Sequence, residues 1–308
     1  SGHQPPPSAP MVHETAPVLS PVGLTLLGQL ATKVQWHYPL RDDARRCYVG
    51  HARNSQRLIV LRSLFVKVQE NVRWEQFAGP WGLQPRKTAW FVQAPCTCEY
   101  RYGGVVVQPT HFPPWLVDIM ERYMPLCGLP DPAFWPNSCN LNLYEGAGHS
   151  LGWHADDEKL FQGRYRDCRI ISLSLGQERR FQLRPSQPKP GELALHELVL
   201  QNGDLCSMEG LTQKHYQHRV PREEAASECG PRINLTWRWI VAHSPSCRPS
   251  RIFALQGGAA VRQSASAAPT ATAIQRRRRA GSSERAHHRA VLPAVAAEPS
   301  ARTPRWFG

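Results

Sequence analysis

Two histidines and one aspartate have side chains that can bind one transition metal together. His154 and Asp156 lie two positions apart, so both side chains point to the same side of an extended segment, while His218 comes from far along the chain. Two imidazoles and one carboxylate form the ligand set that holds non-haem Fe(II) on one face and leaves positions open for a co-substrate and O₂. Calcium and magnesium prefer oxygen ligands alone, so the set favours iron and predicts an oxidative enzyme. The His154–Asp156 pair is weak evidence by itself, because chance supplies such a pair in a 308-residue chain with 13 histidines.

The segment from Arg232 to Arg238 alternates polar and apolar side chains, as a strand between two environments does. Its polar face carries Arg232, Asn234, Thr236 and Arg238. In most such patterns the polar face lies in water. If it points into a barrel instead, its arginines can form paired hydrogen bonds with the carboxylates of a dicarboxylic co-substrate, which lysine cannot copy.

A second segment shows the same alternation shortly before His154. Asn140, Asn142 and Tyr144 share one face of the predicted strand, and the turn Glu145-Gly146-Ala147-Gly148 follows it. Beside a metal, the amide and phenol groups could hydrogen-bond a bound acid. They could equally be barrel polar groups that their neighbours satisfy, and the residues alone leave both interpretations open.

Several separated motifs, in this order and approximate spacing, resemble the AlkB family of Fe(II)/2-oxoglutarate dioxygenases. The resemblance covers about residues 57–242, and its upstream part is similar to eukaryotic members that repair alkylated bases. The matching motifs are Gln84-Pro85-Arg86-Lys87-Thr88-Ala89-Trp90-Phe91, Asn142-Leu143-Tyr144, Trp153-His154-Ala155-Asp156-Asp157-Glu158, Ser172-Leu173-Ser174-Leu175-Gly176, Met208-Glu209-Gly210, Gln217-His218-Arg219-Val220-Pro221 and Pro231-Arg232 through Arg238.

The resemblance implies that His154, Asp156 and His218 bind Fe(II). His215, three residues before His218, is the alternative third ligand. Because the motif surrounds His218 instead, we expect His215 on the surface or beside the site.

The resemblance also implies how the co-substrate 2-oxoglutarate is held. Arg232 would pair with its far carboxylate, helped by Tyr144 and Asn234. Arg238 and Asn142 would lie near the end of the co-substrate that chelates the metal.

For the substrate, the resemblance implies contact between Asp157 and the damaged base. We expect Tyr102, Trp90 or Phe91 to offer a surface on which a base stacks. Of the basic residues, we expect Arg86, Lys87 and Arg101 to touch the substrate backbone. The segment around Cys96 and Cys98 departs from the family pattern, and Cys-Thr-Cys is too short a motif to predict zinc.

The activity implied is the oxidative removal of N-alkyl groups, such as those of 1-methyladenine and 3-methylcytosine, from single-stranded or locally opened DNA or RNA. A methyl group on a ring nitrogen has no good leaving group, so a cofactor must supply the oxidising power while the protein binds and orients. Products would be formaldehyde, succinate and CO₂. Two alternatives stay open: an RNA- or protein-directed oxygenase on the same scaffold, and a nucleic-acid-binding protein with an inactive jelly-roll.

The predicted fold is α+β with a mostly β core, a double-stranded β-helix (jelly-roll) with helices at its front. Apolar residues recur at helical spacing in 61–72 and in 116–123, and prolines 113 and 114 suit a helix start. Strand-like runs dominate from Asn140 onward. We expect an N-terminal extension over 1–56, proline-rich and disordered at its start, a catalytic domain over 57–243, and a disordered basic tail over 244–308.

The basic charge is concentrated in that tail. Residues 245–308 hold eleven arginines and two glutamates, so they carry +9 of the formal net charge of +13. The run Arg276-Arg277-Arg278-Arg279 could bind phosphates, act as a nuclear address, or be a solvated charge run. Nine cysteines without a secretory signal predict a reducing compartment, so we expect a soluble, intracellular monomer, with the nucleus as the favoured location and no membrane contact.

Overall fold

Polar and apolar side chains alternate along the strands of two sheets that face each other across a buried interior. The computed structural model describes residues 25–30, 32–79, 82–192, 195–224 and 229–247. The proline-rich start at 1–21 and the arginine run at 276–279 lie outside these residues, as does most of the expected tail. The strands are β1 (Trp36–Asp42), β2 (Cys47–Ala52), β3 (Ala78–Gly79), β4 (Gly82–Leu83), β5 (Lys87–Val92), β6 (Tyr100–Tyr102), β7 (Val105–Val107), β8 (Thr110–His111), β9 (Ser138–Tyr144), β10 (Leu151–His154), β11 (Cys168–Gly176), β12 (Arg179–Pro185), β13 (His196–Leu200), β14 (Leu205–Gly210), β15 (Tyr216–Val220) and β16 (Arg232–Arg238).

The order of the strands confirms the predicted jelly-roll. The main sheet has eight strands in the order β1-β2-β14-β11-β16-β9-β5-β8, and the minor sheet has four in the order β10-β15-β12-β13. Neighbours in both sheets are antiparallel except for β5 and β8, which run parallel. Strands that are distant in sequence therefore lie side by side, which the assembly of one site from distant residues requires.

Helices α1 (Leu58–Asn71) and α2 (Pro114–Tyr123) cover the outer face of the main sheet, and both coincide with the predicted apolar stripes. The short α3 (Thr212–His215) joins β14 to β15. Ile233, Leu235 and Trp237 of β16 are fully buried in one core cluster with side chains of α1 and α2. Each such side chain contributes roughly 1.5–3 kcal/mol of burial free energy. Because alternate residues of a strand point to opposite faces, this packing turns the polar face of β16 towards the other sheet.

The main sheet begins upstream of residue 57, where we expected the catalytic domain to start. Strand β2 pairs with β14 from Cys47 opposite Gly210 to Ala52 opposite Leu205, and β1 forms the sheet edge beyond it. Residues of the expected extension are therefore part of the sheet.

A hairpin formed by β6 and β7, here called the hairpin (Tyr100–Val107), lies beside the two sheets. Its turn is Gly103-Gly104, both with positive φ of 49° and 81°, a backbone conformation that glycine adopts without steric cost. Trp90 of β5 stacks on Tyr100, with ring centroids 4.9 Å apart. This packing fixes the hairpin against the main sheet.

Within the described residues, no helix has the length and apolar character needed to cross a membrane.

Candidate active site

Strand pairing brings the two candidate histidine ligands together. His154 is the last residue of β10 and lies opposite His218 of β15, with ring centroids 4.1 Å apart. Asp156 follows two residues later, with a carboxylate oxygen 3.7 Å from His154 Nε2 and another 3.9 Å from His218 Nε2. All three side chains are buried, and each offers a ligand atom within 4.8 Å of the other two. We call this group the His/Asp triad.

Hydrogen bonds orient the triad for metal binding. His154 Nδ1 lies 2.9 Å from the carbonyl oxygen of Gly152. A carbonyl can only accept, so Nδ1 carries the proton and the lone pair of Nε2 faces the triad. The backbone N–H of Asp156 donates to Oε1 of Gln213 at 2.8 Å, which holds the segment after β10 in place.

The ionisation states of the triad suit a divalent metal. Burial lowers the pKa of His154, and burial together with the neighbouring His154 lowers the pKa of His218 to about 3, so both imidazoles are neutral at neutral pH. Burial acts to raise the pKa of Asp156, but the positive charge of Arg238, the largest of the opposing effects, helps to bring this pKa below its ordinary value. Neutral imidazoles and an ionised carboxylate are the forms that bind metal.

Arg238 contacts the triad directly. Its Nη2 lies 2.8 Å from Oδ2 of Asp156, and its Nη1 donates to the Tyr100 hydroxyl at 2.8 Å. The sequence led us to expect Arg238 near the metal-chelating end of the co-substrate. In the structure it pairs with the Asp156 carboxylate and balances its charge.

The residues expected to hold 2-oxoglutarate form two cross-strand pairs in the main sheet. Arg232 of β16 lies opposite Tyr144 of β9, and Asn234 lies opposite Asn142. Arg232 Nη2 donates to Asn234 Oδ1 and to Ser174 Oγ, both at 2.8 Å. The register of a single strand pair therefore places four of these side chains on one patch of the inner face.

Arg232 provides the test of whether a dicarboxylic acid fits. The residue is 2% exposed, yet its Nε and Nη1 have no hydrogen-bond partner among the described residues. Leaving donors of a buried cation unpaired costs free energy, and a carboxylate is the acceptor that a guanidinium fork matches best. Arg232 lines the same cleft as the triad. The donor set of the triad fits Fe(II), and Arg232 fits the far carboxylate of 2-oxoglutarate.

The expected substrate residues divide into two groups. Arg86 and Tyr102 line the cleft, and Arg86 Nε donates to Oδ1 of Asn142 at 3.0 Å. Trp90 does not line it: its indole is buried against the hairpin and donates to the carbonyl of Cys98 at 2.8 Å. Asp157 also lies outside the lining and pairs with Arg164 at 3.5 Å on the surface.

His215, the alternative third ligand, belongs to α3 and not to the triad.

Two residues that the sequence analysis did not single out, Tyr100 and Gln213, border the triad. Tyr100 lines the cleft, accepts a hydrogen bond from Arg238 and donates to Glu158 at 2.6 Å. The pattern Tyr100-Arg-Tyr102-Gly-Gly, typical of a hairpin with aromatic residues on one face, is the signal that could have found Tyr100. Gln213 shows no such signal.

Fold and site together define an oxygenase of the non-haem iron type, and comparison with known proteins agrees. The model of the 2OG-Fe(II) oxygenase superfamily matches residues 53–238. This superfamily uses Fe(II), 2-oxoglutarate and O₂.

Curated relatives narrow the class. The alpha-ketoglutarate-dependent dioxygenase alkB homolog 3 of Bos taurus is 37% identical over 189 residues, covering 58% of this chain and 61% of the relative. The human alkB homolog 3 is 39% identical over 51% of this chain and 52% of its own length. The DNA oxidative demethylase ALKBH2 of Arabidopsis thaliana is 34% identical over 52% of this chain and 54% of its own length. The matched regions thus span about half to three fifths of these relatives. The chain belongs to the AlkB family of 2-oxoglutarate- and Fe(II)-dependent oxygenases.

Proposed function

We propose that this protein is an Fe(II)/2-oxoglutarate-dependent dioxygenase that removes N-alkyl groups, such as those of 1-methyladenine and 3-methylcytosine, from single-stranded or opened DNA or from RNA. The observation that carries the proposal is the buried Arg232 with two unpaired N–H groups in the same cleft as the His/Asp triad. It supports a reaction that needs both a metal and a dicarboxylic acid. The relative named as a DNA oxidative demethylase supports a nucleobase as the substrate.

Each side chain of the cleft has a distinct part in this proposal. Fe(II), held by His154, Asp156 and His218, would supply with O₂ the oxidising power that breaks the C–H bond of the alkyl group, while 2-oxoglutarate becomes succinate and CO₂. Arg238 keeps the Asp156 carboxylate ionised and oriented. Arg232 anchors the far carboxylate of 2-oxoglutarate, so that its other end points at the metal.

The outer face of the minor sheet offers a surface for a nucleic-acid backbone. Arg184 and Arg219 both stack on the Trp153 ring, with guanidinium carbons 4.4 and 4.5 Å from its centroid. Their hydrogen-bond partners are the neutral Gln217 and Gln182, and among the described residues neither guanidinium is ion-paired with a carboxylate. By contrast, Lys87 and Arg101 beside the cleft are paired with Glu145 and Glu99. Guanidinium groups without an ion-paired carboxylate can form paired, charge-assisted hydrogen bonds with phosphates.

A base must leave its stack to reach a buried metal, which favours unpaired or locally opened strands as substrates. Tyr102, which is buried in the lining of the cleft, is the aromatic side chain we propose for contact with the extruded base. A substrate of this kind is also the reason to expect the protein in the nucleus.

The test is an oligonucleotide repair assay with purified protein, Fe(II), 2-oxoglutarate, ascorbate and single strands that carry 1-methyladenine or 3-methylcytosine, in DNA and in RNA. Asp156→Ala is the inactive control, and Arg122→Ala, exposed on α2, is the matched surface control. The proposal predicts repaired base and formaldehyde from wild type and Arg122→Ala only. If 2-oxoglutarate is converted to succinate but no strand is repaired, the assignment as an oxygenase stands and the assignment of an alkylated base as substrate is refuted. If folded, iron-loaded protein shows no turnover, the alternative of a nucleic-acid-binding protein is favoured. Truncation after residue 247 would then test that alternative, which predicts that the truncated protein loses nucleic-acid binding.

A further inference from the structure

Three cysteines and one histidine meet at a second place in the molecule, away from the His/Asp triad. Cys96 and Cys98 precede the hairpin, whereas His243 and Cys247 follow the last strand of the main sheet. Each offers one ligand atom, and the four atoms all lie within 4.8 Å of one another. We propose that this group, the Cys/His cluster, binds a structural Zn²⁺ ion in a Cys₃His site.

Four of the six distances between ligand atoms in the cluster match the edges of a tetrahedral zinc site. His243 Nδ1 lies 3.6 Å from the sulfur of Cys96, 3.5 Å from that of Cys98 and 3.4 Å from that of Cys247. The sulfurs of Cys96 and Cys247 are 3.6 Å apart. With Zn–S bonds of about 2.3 Å and Zn–N bonds of about 2.0–2.1 Å, a tetrahedral site has S–N edges of about 3.5 Å and S–S edges of about 3.8 Å. The observed separations therefore leave room for one zinc ion at the centre.

Backbone donors surround the sulfurs as they do in zinc–thiolate sites. The sulfur of Cys96 accepts from the N–H of Cys98 at 3.5 Å. That of Cys98 accepts from Ser244 N–H at 3.3 Å, and that of Cys247 accepts from Thr97 N–H at 3.3 Å. Donors directed at sulfur favour the thiolate, which is the form that binds metal. Each of the three sulfurs thus has a donor that would stabilise its charge.

A disulfide does not account for the arrangement. The 3.6 Å between the sulfurs of Cys96 and Cys247 is far longer than the roughly 2.0 Å of an S–S bond, and all nine cysteines are free. One disulfide would also use only two of the three sulfurs and would leave the histidine without a role. The three cysteine side chains are at most 4% exposed, so the cluster is a built interior site and not a chance meeting on the surface.

Ligand chemistry separates this site from the triad. Thiolates are soft ligands that select zinc in a tetrahedral site, whereas the imidazole and carboxylate groups of the triad suit iron with open positions. Four protein ligands leave the cluster closed, which is typical of structural and not catalytic zinc. The inference therefore stands independently of the proposed reaction.

The ion would join two segments that are 151 positions apart in sequence. One leads through Cys98, whose carbonyl accepts from Trp90, into Tyr100 of the hairpin. The other begins after Arg238, which donates to the hydroxyl of that same tyrosine. Zinc at the cluster would thus hold the hairpin wall of the cleft against the end of β16.

The experiment measures zinc in the full chain, purified reduced and reconstituted with Zn²⁺, by plasma mass spectrometry. The variants are Cys98→Ser and Cys247→Ser, with Cys229→Ser as the matched control, because Cys229 is a free cysteine outside the cluster. Because Zn²⁺ can also occupy the triad, the result expected is a difference: wild type and Cys229→Ser should hold about one dialysis-resistant zinc per chain more than the two cluster variants. Asp156→Ala should retain the zinc of the cluster.

A second measurement keeps the proposal testable if the cluster variants do not fold. Co²⁺ replacing zinc in wild-type protein should give the intense visible absorption of a tetrahedral cobalt–thiolate site, and zinc should displace it. Wild-type protein without bound zinc, an absorption lacking thiolate character, or unchanged zinc in Cys98→Ser and Cys247→Ser would each overturn the proposal. So would a Cys96–Cys247 disulfide in freshly purified protein.

Discussion

The His/Asp triad and the Cys/His cluster are both buried, but different forces bring their residues together. His154 and His218 are register partners in an antiparallel ladder, so backbone hydrogen bonds hold them side by side before any metal binds. The four residues of the cluster belong to loops outside the named strands. The triad should therefore be preformed, whereas the cluster should depend on its ion. On this account, iron would bind to a barrel that is already folded, whereas zinc would be needed to hold the loops of the cluster together.

The largest effect we predict is the loss of turnover on removing a triad histidine. His218→Ala deletes a neutral ligand and leaves no buried charge unpaired, so the fold should persist while iron binding and succinate formation fall by more than about 100-fold, beyond what loss of a supporting residue costs. The matched control is His215→Ala, three residues earlier. Succinate release and thermal unfolding of both variants measure the effect. Equal losses in the two variants would break the assignment of His218.

Removing zinc should destabilise the protein where removing iron does not. An ion present at 1,000 times its dissociation constant stabilises the native state by about 4 kcal/mol, and all of this is lost with the ion. We expect zinc chelation to lower the free energy of unfolding by about this amount and to expose the hairpin to protease, measured by urea unfolding and by mapping the first cleavage site. Protein stripped of iron alone should unfold as the metal-loaded protein does. First cleavage away from 96–107 would contradict a clamp on the hairpin.

Arg232→Lys should weaken the binding of 2-oxoglutarate more than it lowers the rate of turnover at saturating 2-oxoglutarate. Lysine keeps the charge but cannot form the paired hydrogen bonds of a guanidinium. Loss of one charge-assisted hydrogen bond costs about 1.5–3 kcal/mol, so KM for 2-oxoglutarate should rise about 10- to 150-fold. Steady-state kinetics with varied 2-oxoglutarate measure it, and Arg180→Lys, a surface arginine paired with Glu223, should behave as wild type. An unchanged KM in Arg232→Lys would remove Arg232 from the co-substrate site.

The smallest effect we predict is on the stability of the main sheet, at Asp204 in the turn before β14. The Asp204 carboxylate forms a hydrogen bond with His51 Nε2 at 2.8 Å. It also accepts hydrogen bonds from the backbone N–H groups of Asn54 and Gln201 at 2.9 and 3.0 Å. Burial acts to raise the pKa of Asp204, but these hydrogen bonds, that of His51 foremost, outweigh it and hold the pKa below its ordinary value of 3.8.

Because the folded pKa of Asp204 is depressed, its ionised form stabilises the native state above the unfolded pKa, and this contribution is lost as pH falls through the folded pKa. Asp204→Asn should therefore cost about 1–2 kcal/mol at pH 7 and progressively less below pH of about 4. Urea unfolding from pH 7 to 3 measures the gap between the two proteins. A gap that widens on acidification would contradict the role of this carboxylate.

The same contrast between ladders and loops explains how far the sequence could predict the molecule. The alternation of Arg232–Arg238 indicates a strand with two different faces, and the helical stripes indicate α1 and α2, so the jelly-roll was predictable and is confirmed. Burial of Ile233, Leu235 and Trp237 under the helices fixes the direction of the polar face. Local periodicity carries all of this information.

What the sequence did not predict depends on tertiary contacts between loops. Cys96 and Cys98 alone do not indicate zinc, and the His243-x₃-Cys247 spacing gains meaning only when the chain brings the two pairs together. Trp90 and Asp157 carry motif positions, yet the first packs on the hairpin and the second lies at the surface. Strand β2 has too short and mixed a pattern to be recognised, although its ladder with β14 makes it part of the main sheet.

The most direct test of the active site is an anaerobic titration of 2-oxoglutarate into Fe(II)-loaded protein, followed by visible absorption. A 2-oxo acid that chelates Fe(II) through its carboxylate and ketone gives a charge-transfer band, whereas succinate, which can pair with Arg232 but lacks the ketone, does not. The account predicts a saturable band with 2-oxoglutarate, none with succinate, none in His218→Ala, and a weaker affinity in Arg232→Lys. Folded, iron-loaded wild type that gives no band at saturating 2-oxoglutarate would contradict it.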